Sequence, residues 1–138
     1  MTARETEPFE LDEAECLRLL ASQPVVRLAV SVAGEVDLFP VNHVVDGRDV
    51  LFTTAPGSKL VELTVHARVV LESDGWDDAE AWSVVVKGVA SVLPEAEVAR
   101  AETLGLESWS ATPKPVWVRV TPTRVTGRRF ARTDGGRA

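Results

Sequence analysis

The chain has 138 residues, enough for one compact domain with its own core. Its formal charge of -6 at pH 7 repels phosphate backbones and anionic bilayers, so nonspecific nucleic-acid or membrane binding is not expected. A single cysteine, Cys16, supports neither a disulfide framework nor a cysteine-based metal cluster, and a reducing compartment fits. Residues 1–9 are polar and acidic, without the apolar centre of a signal peptide. No apolar run nears the roughly 20 residues of a membrane span, so a cytoplasmic location is expected. Nothing recurs at a fixed period, which excludes solenoids.

The first element begins at Leu11-Asp12-Glu13-Ala14-Glu15-Cys16. Asp12 suits an N-cap, Glu15 can reach back to it, and Leu11 and Cys16 hold the staple positions. Cys16, Leu17 and Leu20 share one face of a short helix ending near Pro24, and Cys16 there is packing rather than catalysis. Val25–Val32 alternates, with Val26, Leu28, Val30 and Val32 on one side: a strand with one apolar face. A turn at Ala33-Gly34-Glu35 leads to a strand over 36–45, where Pro40 signals an edge, a bulge or a break. Asp46-Gly47 is a hairpin signal, and Asp49–Thr54 is the third strand.

Ala55-Pro56-Gly57 breaks the pattern, and Ser58 can cap a helix running to about His66, with Leu60, Val61 and Leu63 as buried candidates. A strand over 68–74, an acidic loop over 75–80 and a long strand over 81–93 with a bend at Gly88 follow. Residues 94–104 read as a helix with Pro94 in its first turn and Gly105 past its end. After a loop over 107–114, two strands, 115–120 and 123–130, flank a Thr121-Pro122 turn, and 131–138 frays. Strands this closely spaced do not suit a doubly wound parallel sheet, which needs a helix in every crossover. A closed or nearly closed antiparallel barrel with helices over its openings fits.

Three constellations could carry chemistry. Phe52-Thr53-Thr54 through Gly57-Ser58-Lys59 runs strand, tight loop, helix start. Its hydroxyls, first-turn amides and one ammonium suit a phosphate monoester, and equally a helix cap beside a surface lysine. In Phe39-Pro40-Val41-Asn42-His43, the proline removes a ladder bond and frees main-chain groups for a flat heterocycle; a solvated Asn on an edge strand is the plainer reading. Gly75-Trp76 and Trp82-Ser83 place indoles beside small residues, fit either to wall a ring-shaped ligand or to pack an interface or core. His43 and His66 lie in different elements, and the acids at Asp74, Asp77, Asp78 and Glu80 lack calcium-loop spacing, so no metal is expected. No nucleophile elbow, Walker loop or dinucleotide fingerprint occurs.

Taken in order, these pieces resemble the pyridoxamine 5'-phosphate oxidase-like, FMN-binding split barrels. The similarity runs through residues 11–16 with 26–30, Phe39-Pro40-Val41-Asn42-His43, Phe52 to Leu60, Trp82 to Ala90, and Thr123 to Arg129, and covers about 11–130. It implies a mainly β, antiparallel split barrel of Greek-key type over 11–130, a polar N-terminal tail over 1–10 and a flexible tail over 131–138. It also implies a homodimer with two FMN sites at the subunit interface. In that arrangement Thr53, Thr54, Ser58 and Lys59, with Phe52 in the same segment, would hold the FMN phosphate. Val41 and Asn42 would approach the isoalloxazine edge, and Trp82, Ser83 and Arg128 would reach the flavin from the second subunit.

The implied function is that of an FMN-dependent oxidoreductase of unassigned small-molecule substrate, with no catalytic acid or base marked. The alternatives are the deazaflavin F420, favoured by a basic groove for its polyglutamate tail, and a non-catalytic flavin carrier or haem module. Full-length oxidases carry Arg-Lys where Ser58-Lys59 stands here, and an Arg-x-His clamp that has no counterpart after His66. Pyridoxamine-phosphate oxidation is therefore not implied.

Overall fold

Alternation of apolar and polar residues builds a ring of strands. The structure is a computed structural model and describes residues 8–64, 67–109 and 115–133. Its strands are β1 (Phe9–Glu10), β2 (Val25–Val32), β3 (Glu35–Asp46), β4 (Asp49–Thr54), β5 (Arg68–Trp76), β6 (Glu80–Val92) and β7 (Val116–Ala131). Its helices are α1 (Glu13–Ala21), α2 (Lys59–Thr64) and α3 (Glu95–Ala101), the last running into a 3-10 turn at Glu102–Leu104. The expected helix end near His66, the side chain of Leu63, most of the 107–114 loop and the end of the tail lie outside the described residues.

The strands pair antiparallel in the order β1-β7-β4-β3-β2-β5-β6, and β6 pairs with β7 again. Six strands thus close on themselves, and β1, in the stretch read as a tail, joins the free edge of β7 through Phe9 opposite Arg129. The inward face carries Val26, Leu28, Val30, Val41, Phe52, Leu71, Val84, Val86, Val118 and Val120. Phe52, Leu28 and Leu71 are fully buried. Burial of each such side chain contributes about 1.5–3 kcal/mol.

The two expected C-terminal strands are one. β7 runs through Thr121-Pro122 without turning, because the pair sits at a bulge. Lys87 opposes Arg124 and Gly88 opposes Pro122, which leaves Thr123 as the extra residue. Its hydroxyl donates to the Lys87 carbonyl at 3.1 Å. Proline, with no N–H for the ladder, is tolerated at such a place. Gly88 is needed opposite it, since a Cβ there would lie 2.5 Å from the Thr121 carbonyl oxygen.

Helix α1 packs on β7, β3 and β6 and contributes Cys16, Leu19 and Leu20 to the core. Asp12 caps it, accepting from the Glu15 amide at 2.8 Å. The reciprocal half of the expected capping box is absent. The Glu15 carboxylate instead accepts from Arg18 Nε at 2.8 Å and lies 3.6 Å from Arg129. Helix α3 covers the outside of the ring, burying Leu51 and Trp117 against Leu93 and Ala101.

On the outward face the register sets up rows across the strands. One row is Leu38, Ala29, Val70, Lys87 and Arg124; the next is Pro40, Arg27, Glu72, Val85 and Thr126. Leu38 is 65% exposed and Val36 69%.

Helix α1 lies tightly against the barrel at Gly127, where a Cβ would lie 2.6 Å from Cys16 Sγ and 3.1 Å from the Ser83 carbonyl oxygen. Gly127→Ala is therefore expected to destabilise the fold by about 1–3 kcal/mol through overpacking. Cys16→Ala alone should cost about 1 kcal/mol. In the Cys16→Ala background the Gly127→Ala loss should shrink, because the sulfur is gone. Urea midpoints of the four proteins read this directly; equal losses in both backgrounds would contradict it.

Candidate functional site

The ladder between β3 and β4 ends at His43 opposite Phe52. Before that point β3 pairs on one side only, with β2, while Thr53 and Thr54 of β4 stay paired with β7 alone. The two strands part, and a groove of about 260 Å³ opens between Pro40, Val41 and Asn42 on one wall and Thr53, Thr54 and Leu60 on the other. Pro40 thus lies on a locally unpaired edge, as its missing N–H suggests.

The half-buried Asn42 has protein partners at both ends of its amide. Its Nδ2 donates to the Pro24 carbonyl at 3.2 Å, and its Oδ1 accepts from the Trp109 amide at 3.0 Å. Both ends of the amide are used to pin two loops at the mouth of the groove. Ser108 also lines the groove. Neither Ser108 nor Trp109 was singled out from the sequence. The one available signal was a tryptophan in a polar loop, and it is 70% exposed.

At the far end, Thr54 Oγ1 and Ser58 Oγ are 2.9 Å apart, and Ser58 Oγ accepts the Val61 amide at 3.3 Å. The Ser58 cap exists, yet the described helix has only six residues. The donors at this end are therefore chiefly the hydroxyls and the Lys59 ammonium. Lys59 is two-thirds exposed and lies 3.6 Å from Asp37 Oδ1.

Other expected site residues lie elsewhere. Phe52 is wholly inside the core, so only its main chain can face a ligand. Trp82 is 9% exposed and points into its own chain's interior. It lies across its strand partner Gly75, where a Cβ would come within 2.7 Å of the indole. Its parity with Val84 and Val86 on β6 explains this placement. Ser83 and Arg128 are cross-strand neighbours on the outward face and line a second groove of about 340 Å³ with Leu11, Val85 and Arg124. Within one chain, Asn42 and Ser83 stand on strands three spacings apart, about 14 Å. The chain presents two half-sites rather than one.

His43 ties this region to α1. Its Nε2 is 2.8 Å from the Leu20 carbonyl, which can only accept, so Nε2 carries the proton. Nδ1 is buried with no partner among the described residues. Burial lowers the imidazole's pKa below the ordinary value, while the carbonyls of Leu20 and Pro24 act in the opposite sense.

Residues 12–129 match the sequence profile of the pyridoxamine 5'-phosphate oxidase family. A Mycobacterium smegmatis structure described as an FAD-binding protein is 43% identical with a TM-score of 0.83, covering 91% of this chain and all of that one. A Corynebacterium diphtheriae protein of unknown function is 40% identical with a TM-score of 0.75, covering 89% and 98%. An uncharacterized Mycobacterium tuberculosis protein is 40% identical over 132 residues, 90% of this chain and 86% of that protein. The chain belongs to the pyridoxamine 5'-phosphate oxidase family and has its split-barrel fold. No described helix is long and apolar enough to cross a membrane.

The buried imidazole makes stability depend on pH. Below about pH 6.5 the unfolded histidine takes a proton that the folded one resists. The unfolded state then binds more protons, so stability falls as pH drops through that value toward the lower folded pKa. Between about pH 7.5 and 5.5 the urea midpoint of the wild type should fall. His43→Gln should show a flatter profile over the same range. Parallel profiles would mean that another group carries the dependence.

Proposed function

We propose that the chain is a flavin-binding oxidoreductase that works as a homodimer. The flavin sits in the groove where β3 and β4 part, and its phosphate meets the Thr53, Thr54, Ser58 and Lys59 end. The observation that carries this reading is the groove itself. A stretch of β3 main chain with no strand neighbour on its β4 side runs beside Val41 along one wall. At the end of the opposite wall the Thr54 and Ser58 hydroxyls stand 2.9 Å apart, and the next residue in the chain, Lys59, carries an ammonium that lies 3.6 Å from Asp37. That donor set fits a phosphate monoester or diester, and free strand-edge amides and carbonyls fit the edge of a flat heterocycle.

A bound flavin would supply hydride or electron chemistry. The protein's part is to bind, orient and exclude water. Asn42 fixes the loops at Pro24 and Trp109 around the mouth. Val41, 7% exposed, forms an apolar part of the wall.

The sequence pointed to FMN. The 43% identical relative described as FAD-binding favours the dinucleotide for this chain. The second subunit is supported by the separation of the half-sites and by the apolar outward stretch of Leu38, Ala29 and Val70. A symmetric pairing through that stretch would bring the Ser83 and Arg128 half-site of one chain to the groove of the other. F420 is the second reading, because Lys87, Arg124 and Arg128 make no ion pair among the described residues and suit a polyanionic tail. The mass of the cofactor released from purified protein separates the three.

Lys59→Ala should weaken phosphate-bearing flavins by about 1.5–3 kcal/mol, the range for hydrogen bonds to charged groups. Riboflavin affinity should be unchanged, since it has no phosphate. Fluorescence titrations of FMN and riboflavin against both proteins test this. Equal losses for both would show that Lys59 acts through structure, and an unchanged FMN affinity would remove the phosphate from this end.

A further inference from the structure

The exposed tryptophan at this side of the barrel is Trp76, not Trp82. At the end of β5 it is 71% exposed, on the outward face. The register places Trp76 opposite Ala81, and Ala81 opposite Phe130 of β7, itself 38% exposed. Trp76 and Phe130 therefore stand two strand spacings apart, about 9.6 Å, with a methyl group between them. That is a slot with two aromatic walls and a small floor, wide enough for one planar ring. In the next row inward stand Ser83 and Arg128. Arg128 lies about 7 Å along the strand from Phe130, a gap that one ribose bridges. Glu10 is its cross-strand partner on β1, yet no ion pair forms, and the guanidinium is unpaired among the described residues. Asp74, the remaining acid of the row, is 3.6 Å from Arg27.

A ring slot beside a free guanidinium is the chemistry of an adenine next to a pyrophosphate. We propose that Trp76 and Phe130 hold the adenine, and Arg128 with Ser83 the adenosine-side phosphate, of the adenosine diphosphate half of a dinucleotide. The flavin is the expected source, so the inference rests on the reading above and extends it to why this chain takes FAD over FMN. A free pyridine dinucleotide offers the same half.

The test measures the affinities of FAD and FMN for wild type, Trp76→Ala and Trp76→Phe by flavin fluorescence, and of ADP and NADH for FMN-loaded protein by calorimetry. Thermal melts check the fold. Wild type should bind FAD at least tenfold tighter than FMN. Trp76→Ala should abolish that preference and leave FMN within twofold, and Trp76→Phe should keep most of it. A Trp76→Ala loss confined to ADP and NADH would support the slot and name the pyridine dinucleotide as its occupant. Equal losses of FAD and FMN, or no effect on any ligand, would overturn the inference while leaving the flavin reading standing. If wild type binds neither flavin, the flavin reading fails. The slot is then judged on ADP alone: Trp76-dependent binding upholds it and no binding overturns it.

Discussion

Everything in this molecule depends on one strand serving three neighbours. β7 pairs with β6 along nearly its whole length, with β4 through its first residues, and with β1 through its last. A straight strand of 16 residues would carry the twist of one sheet past the point where the ring must close. The bulge at Thr123 opposite Gly88 resolves this by adding a residue and increasing the local twist. The first half of β7 then turns Val118 and Val120 into the core. The second half turns Arg124, Thr126, Arg128 and Phe130 outward, all on one line. Without the bulge the parity of that half would invert, and the cations would face the barrel interior.

The same accounting explains the groove. β4 pairs with β7 through all of Val50–Thr54 but with β3 only as far as Phe52, so its last two residues are paired on one side alone. The strands part beyond Phe52 and His43, and main-chain groups that would otherwise be consumed by a ladder face an open cleft. The protein tolerates this because the surroundings are fixed independently. His43 anchors to the end of α1, Asn42 anchors two loops, and Val41 is held in the core. A cleft made by diverging strands is preorganised by the fold, whereas a cleft made by mobile loops would have to be ordered by the ligand.

Which parts were legible in the sequence follows from how local each signal is. The strict alternation of Val25–Val32 and the Asp46-Gly47 turn fixed β2 and the β3–β4 hairpin, because period and turn chemistry act over a few residues. Pro40 correctly marked the part of β3 that is an edge on its β4 side. Pro122 was misread as a turn, since a proline stops a ladder bond whether the chain then turns or bulges; the answer lay across the sheet in Gly88. The two-residue β1 carries no periodicity at all. The orientation of Trp82 was legible, because it shares parity with Val84, Val86 and Ala90, and a residue of that parity on a half-buried strand faces inward. The partners of Asn42 come from Pro24 and Trp109, and no local pattern announces contacts of that range.

The distribution of arginines separates structural charge from available charge. Arg48 pairs with Glu13, Arg100 with Asp46 and Arg119 with Glu97, and these pairs link α1 and α3 to the barrel. The guanidiniums hold the carboxyls of Glu13 and Asp46 below the usual carboxylate range. Exposed pairs of this kind contribute little each to stability; their consistent effect is to fix where the helices dock. In a chain with six more negative than positive charges, every arginine has ample acidic company nearby in principle. Arg124 and Arg128 nevertheless stay unpaired among the described residues, on a strand whose register the bulge dictates. Arg124 and Arg128 share one outward line of β7, with Lys87 of β6 opposite Arg124, and these cations, unpaired among the described residues, add positive potential to that face of an acidic protein. The charge pattern and the aromatic walls at Trp76 and Phe130 thus coincide on one end of one sheet face, and the bulge at Thr123 turns both Arg128 and Phe130 toward it.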